Sequence, residues 1–193
     1  MSIKASHKDI KDCFKFLASS SKLKSASFEE ICAHVVKVKM FLRNGFDVDY
    51  KTSGDKTLLH IVLSKGMMHY NKKALEKFNE NPTLNVDFAP LDIKYLTTKY
   101  RPNPFIRDEQ GLTPSMKALD KGLKNEFHWL ISYENAYQSE NQAKALQALA
   151  ILAELVPHNI EDKDPYRKTV IRRAQKTFNL SMQNLAGENQ NNG

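Results

Sequence analysis

The sequence predicts an all-α fold, a short, curved stack of helical hairpins with additional helices at both ends. Three observations carry that expectation. Apolar residues recur at steps of three and four through most of the 193 residues, and no series of segments alternates as β-strands do. Capping residues bracket these stretches. A unit of tight turn, short helix, glycine and longer helix also occurs twice, as it does in proteins built from stacked supersecondary repeats.

Taken in order, Ser6 and Asp9 have the spacing of a capping box, and Ile10, Cys13, Phe14 and Leu17 form the apolar stripe of a helix over 6–18 that Ser19-Ser20-Ser21 ends. Ser27-Phe28-Glu29-Glu30 is a clearer box. It opens a helix whose Phe28, Ile31, Val35, Val38 and Leu42 share a face, until Asn44-Gly45 stops it. The first repeat-like unit follows. Thr57 opens a short helix after the turn at Asp55, Val62 takes a small apolar place, Gly66 is expected to end that helix, and Ala74-Leu75 is the apolar pair of the second helix. In the later unit Asp108–Gly111 has turn residues, Thr113-Pro114 opens a helix, and Ala118 and Leu119 fall where it must lie close to its neighbour. Gly122 reads as the left-handed residue that ends it. A second helix from Asn125 to about Tyr133 then aligns Phe127, Leu130 and Ile131.

Thr57 and Thr113 are 56 residues apart, so extra residues sit between the units. The expected place is 79–102, where Asn81-Pro82 and Ala89-Pro90 break helices and Leu91 to Thr98 adds one. Beyond the later unit, Ser139 and Gln142 are expected to cap a separate, sandwiched helix over 141–155, ended by Val156-Pro157. Asp162 to Asp164 leads through Pro165 into a last helix with Tyr166, Val170, Ala174 and Phe178 on one side. Residues 187–193 have nothing apolar to bury and are expected to be disordered.

These units resemble ankyrin repeats. The resemblance rests on Gly111-Leu112-Thr113-Pro114 with Ala118 and Gly122, and on Gly45-Phe46-Asp47-Val48-Asp49 followed at the family's spacing by Asp55-Lys56-Thr57-Leu58-Leu59-His60. The copies are degenerate. Asp55 stands for Gly, Leu58 for Pro, and Ser115-Met116 for Leu-His, and the separation of 56 exceeds the family's period of about 33. The resemblance implies one domain over 1–186, with an N-terminal cap at 1–26, degenerate repeats at 27–135 and a C-terminal helical cap at 136–186. It further implies that His60 bonds to the turn rather than doing chemistry.

A formal net charge of +7 invites a nucleic-acid or membrane-surface reading, but the lysines are spread along the chain. The densest basic group is Arg167, Lys168, Arg172, Arg173 and Lys176, on one helix. It is either a solvated face or a grip for phosphates. Cys13 and Cys32 lie on apolar faces, which suits buried thiols in a reducing compartment. There is no signal-peptide pattern and no apolar run of membrane-spanning length. Six histidines and two cysteines show no ligand spacing, and no nucleophile–base pair or phosphate-cradling glycine loop stands out. The expectation is therefore a monomer without cofactor, metal or catalysis. Asp47, Asp49 and Asp55 fall on turns rather than forming a cation loop. Trp129 is either core or an edge contact.

Ankyrin stacks bind proteins through turn tips and first helices, which the resemblance maps onto Lys51, Ser53, Lys56, Arg107, Glu109 and Gln110, with Ser64, Lys65, Met67, Asp120, Lys121 and Leu123 on the adjoining inner surface. The expected partner is a protein with an acidic patch. The alternative is nucleic acid or anionic lipid on the basic C-terminal helix. Small, Lys- and Asn-rich ankyrin proteins also resemble those that intracellular bacteria inject into host cells, which implies the cytoplasm, or a host's cytoplasm, as the place of action.

Overall fold

A computed structural model describes residues 7–80, 90–155 and 165–189. Ser6, Asn81-Pro82, Ala89, Val156-Pro157, 162–164 and 190–193 lie outside the described residues, as do the side chains of Tyr166, Arg167 and Lys168. Among the described residues the protein is all helical, with no strand: α1 (His7–Ala18), α2 (Ser20–Ser25), α3 (Phe28–Arg43), α4 (Leu58–Val62), α5 (Lys65–Glu80), α6 (Ile93–Lys99), α7 (Pro114–Asp120), α8 (Lys124–Leu155) and α9 (Pro165–Asn189). None of these helices is long and apolar enough to cross a membrane. The chain divides into two compact units, Met1–Ile131 and Ser132–Gly193, where the sequence suggests one domain.

In the first unit α4 is the hub, touching α1, α5, α6 and α7. All five of its residues, Leu58 to Val62, are buried, so it has no solvent face. Five residues are too few to hold a helix alone, and packing on every side holds this one. The expected stripe of α1 is buried as its spacing requires, with Phe16 added, and Cys13 and Cys32 are buried free thiols. Ser27 accepts a hydrogen bond from the Glu30 amide (3.1 Å) and starts α3. Asp92 does the same for Tyr95 (2.8 Å) at the start of α6, the helix expected within the insertion.

Several expectations fail for identifiable reasons. α1 does end before Ser19, but a second short helix that was not expected follows, and the Ser19 hydroxyl caps it, accepting from the Lys22 amide at 3.4 Å. Gly66 does not end the first short helix. That helix stops at Val62, Ser64 caps α5 by accepting from the Met67 amide (3.3 Å), and Gly66 lies in the first turn of α5, where a Cβ would come within 2.8 Å of Leu23 Cβ. The pair Ala74-Leu75 splits, with Ala74 buried and Leu75 half exposed, and Leu119 is 61% exposed although Ala118 beside it is buried. Adjacent helical residues point about 100° apart and cannot both face one neighbour.

The helix expected to end near Tyr133 continues as α8 to Leu155. Ser139 does not cap a new helix there: its hydroxyl donates to the Asn135 carbonyl one turn back (2.9 Å), which lets a serine sit inside a helix. In the second unit this part of α8 is not sandwiched. Ala145 and Ala148 are buried, whereas Leu146 and Leu149 are exposed. In α9 Ala174 is buried and Val170 and Phe178 are half-buried, and Asn184 donates to Asn141 of α8 at 3.3 Å. Residues 187–189, expected to be disordered, belong to α9.

Candidate functional site

Two turns precede α4 and α7, and their backbones match bond for bond. The Thr52 amide donates to the Lys56 carbonyl and, 56 residues on, the Asp108 amide donates to the Leu112 carbonyl, both at 3.0 Å. The Asp55 and Gly111 amides close the inner turns onto Thr52 (3.1 Å) and Asp108 (2.8 Å), and both residues are left-handed, φ +53° and +75°. Thr57 and Thr113 then cap the helices. The two turns are joined directly, because the Glu109 amide donates to the Gly54 carbonyl at 3.0 Å.

His60 makes the second junction. Its Nδ1 accepts from the Thr57 amide (3.3 Å) and faces the Thr57 hydroxyl (2.9 Å), while Nε2 lies 2.9 Å from the Leu112 carbonyl. An accepting Nδ1 leaves the proton on Nε2, so a single neutral tautomer satisfies every contact. Burial lowers the pKa of the imidazole, with Leu112 opposing in part. The histidine is used structurally, and it reaches across to the next turn as well as to its own.

Under the second turn a buried carboxylate is held from three sides. Asp108 accepts from the Gln110 amide (3.0 Å) and the Leu112 amide (3.2 Å), and the Lys117 ammonium bonds its other oxygen. Burial pushes the carboxyl up, but Lys117 and the two amides outweigh it and leave Asp108 below the usual range. Asp49 is the reverse case. Burial pushes it up to about 6, although its carboxylate accepts the Asn103 amide at 2.9 Å and ties the residues after α6 to the turn before α4. Asp47 bonds the Asp49 amide (2.9 Å), so these carboxylates have turn roles.

Among the residues singled out in the sequence, Lys51, Ser53, Glu109, Gln110, Asp120 and Lys121 are exposed, and Lys56 is half-buried, 4.0 Å from Glu109. Arg107 is held in its turn, donating from Nη1 to the Gly111 carbonyl (3.0 Å), and the Lys121 ammonium reaches the Leu63 carbonyl at 3.0 Å. Lys65 is exposed on α5. Ser64 is occupied as a cap, Leu123 packs against the core, and Met67 is fully buried, so it offers no surface. On α9, Arg172, Arg173 and Lys176 are exposed. Trp129 is an edge contact: its indole donates to Thr97 at 3.0 Å and the Lys94 ammonium lies over its ring.

Sequence reasoning missed Met116. With Leu119 it forms an exposed apolar pair on α7, one turn apart and next to Asp120 and Lys121. The signal was present, since burial of Ser115 and Ala118 turns positions 116 and 119 outward. No family model, curated protein sequence or solved structure matches the chain.

Proposed function

We propose that the chain is a degenerate ankyrin-type interaction module that binds a partner protein through its turn tips and the outward face of α7, without catalysis. The observation that carries the reading is the apolar pair Met116 and Leu119, exposed beside Asp120 and Lys121 on a helix whose other face is anchored by Thr113, Lys117 and Ala118. Two apolar side chains exposed one turn apart, beside charged residues, offer a partner an apolar contact with a polar rim. The matched turns support the ankyrin part, with their left-handed residues, threonine caps and direct amide link. Lys51, Lys56 and Lys121 make the surface partly basic and suit an acidic patch on the partner. Action on a host protein as a secreted effector is the biological form of this proposal.

The test is photo-cross-linking in host-cell extract with a benzophenone residue at Ser53, at Gln110 or at Arg173, followed by the same assay on Leu119→Glu. Adducts to one acidic protein from the first two sites, lost in Leu119→Glu at unchanged melting temperature, support the proposal. Adducts from Arg173 alone would move the site to the basic face of α9, where Arg172 and Lys176 are also exposed.

A further inference from the structure

We propose that the cavity between α2 and α5 is a binding site for a phosphate monoester carried on an apolar body. The cavity has a volume of about 580 Å³, within the range of small-molecule sites. Its mouth carries Lys24 from α2 and Lys65, His69 and Lys73 from α5, all exposed, and no acidic residue lines it. None of the three lysines forms an ion pair among the described residues, unlike Lys56, Lys77, Lys117 and Lys144. Like charges gathered round one concavity repel each other, and an anion placed between them relieves that repulsion.

The interior is of the opposite character, with Leu23, Phe28 and Ile31 contributing apolar wall. A free inorganic anion would leave that wall in water, whereas a ligand with an apolar part covers it. Gly66 adds backbone to the lining. It belongs to the first turn of α5, a 16-residue helix, and so lies near the positive end of the helix dipole. The Leu23 contact that forbids a Cβ at Gly66 keeps this backbone bare. Three lysines exceed what one carboxylate needs and match a dianionic phosphate, each ammonium giving a charge-assisted hydrogen bond. The phosphate is either that of a free soluble molecule or that of a lipid headgroup. None of its lining residues belongs to the turn tips or to α9.

The test uses the full chain and two probes: naphthyl phosphate by calorimetry, and phosphatidylcholine vesicles with or without phosphatidic acid by co-sedimentation. Lys24→Gln/Lys65→Gln/Lys73→Gln is compared with Lys8→Gln/Lys11→Gln/Lys15→Gln, which removes the same charge from exposed positions on α1. The expected result is binding of at least one probe, weakened about tenfold or more by the first triple and less than about threefold by the second. Ser20→Trp, which fills the mouth while keeping every lysine, weakens it comparably. Naphthyl phosphate is also expected to bind more tightly than inorganic phosphate. Binding of the soluble probe alone assigns a free ligand, and binding of the vesicles alone assigns a lipid. Absence of binding to both probes, equal loss in the two triples, or full binding by Ser20→Trp would overturn the proposal.

Discussion

In the turn before α4 both Gly54 and Asp55 are left-handed, and in the turn before α7 Gly111 alone is, yet the hydrogen bonds around them coincide. The chemistry beneath the two turns differs more. The first is braced by a neutral histidine that reaches forward to Leu112, the second by a carboxylate–ammonium pair buried under its own loop. The two turns therefore differ in which side chain fixes them while sharing the same backbone bonds. Each brace fails in its own way, and four measurements can separate them.

The largest effect is expected from Lys117→Ala. It leaves the Asp108 carboxylate buried without its cation, at a cost of about 3–5 kcal/mol in urea unfolding. Lys56→Ala removes a half-buried partner of the exposed Glu109 and should cost about 1 kcal/mol or less. Equal losses would mean that the buried pair has no special weight in the second turn. His60→Ala comes next, at about 2–3 kcal/mol, because three polar contacts and a buried ring are lost together. Since the folded-state pKa of His60 is depressed, its contribution is complete above its unfolded value and disappears as pH falls through the folded value. The deficit of His60→Ala should thus be smaller near pH 5 than near pH 8, and a deficit unchanged between them would contradict a neutral histidine.

Gly111→Ala should cost about 1 kcal/mol, whereas Asp55→Gly should be neutral or stabilising, because aspartate tolerates the left-handed region only at some expense. If Asp55→Gly is the worse of the two by thermal melting, the turns are not equivalent. Asp49→Asn is distinguished from the others by its pH signature. With its folded pKa near 6, Asp49 contributes stability that is full below about pH 4 and is lost as pH rises through 6. The substituted carboxamide keeps an acceptor for the Asn103 amide without the charge. The difference in melting temperature between the two proteins should therefore grow in favour of Asp49→Asn between about pH 4 and 6. A difference that does not vary with pH would place the carboxylate in water.

Caps and stripes made the helices legible. Ser27, Thr113 and Asp92 act on neighbours three residues away, and such bonds are written in local sequence. The left-handed Gly122 was readable for the same reason. What failed was decided at longer range. Gly66 is a glycine because α2 crosses α5 there, and nothing within a few residues of Gly66 records that crossing. Ser139 looked like a cap because a serine's bond to the preceding turn leaves the same residue type in place. In the candidate surface, the turns themselves followed from turn chemistry, whereas the contact residues on them came from the ankyrin resemblance. Leu119 was misassigned because the helix needs one small buried residue, and Ala118 already supplies it.

The bonds from Glu109 to Gly54, from His60 to Leu112 and from Asn103 to Asp49 join residues 52 to 55 positions apart. Helix α4, at five residues, lacks half of its packing partners until α6 and α7 have been made. The order of events during synthesis follows from this. Residues 45–80 can collapse early, but α4 settles only once the segment through Leu112 has left the ribosome, several seconds later at a rate of about 5–20 residues per second. The apolar surface of Leu58, Leu59 and Ile61 is unprotected during that interval. The nascent chain is most exposed to aggregation or chaperone capture there, between the emergence of the first turn and the arrival of the second.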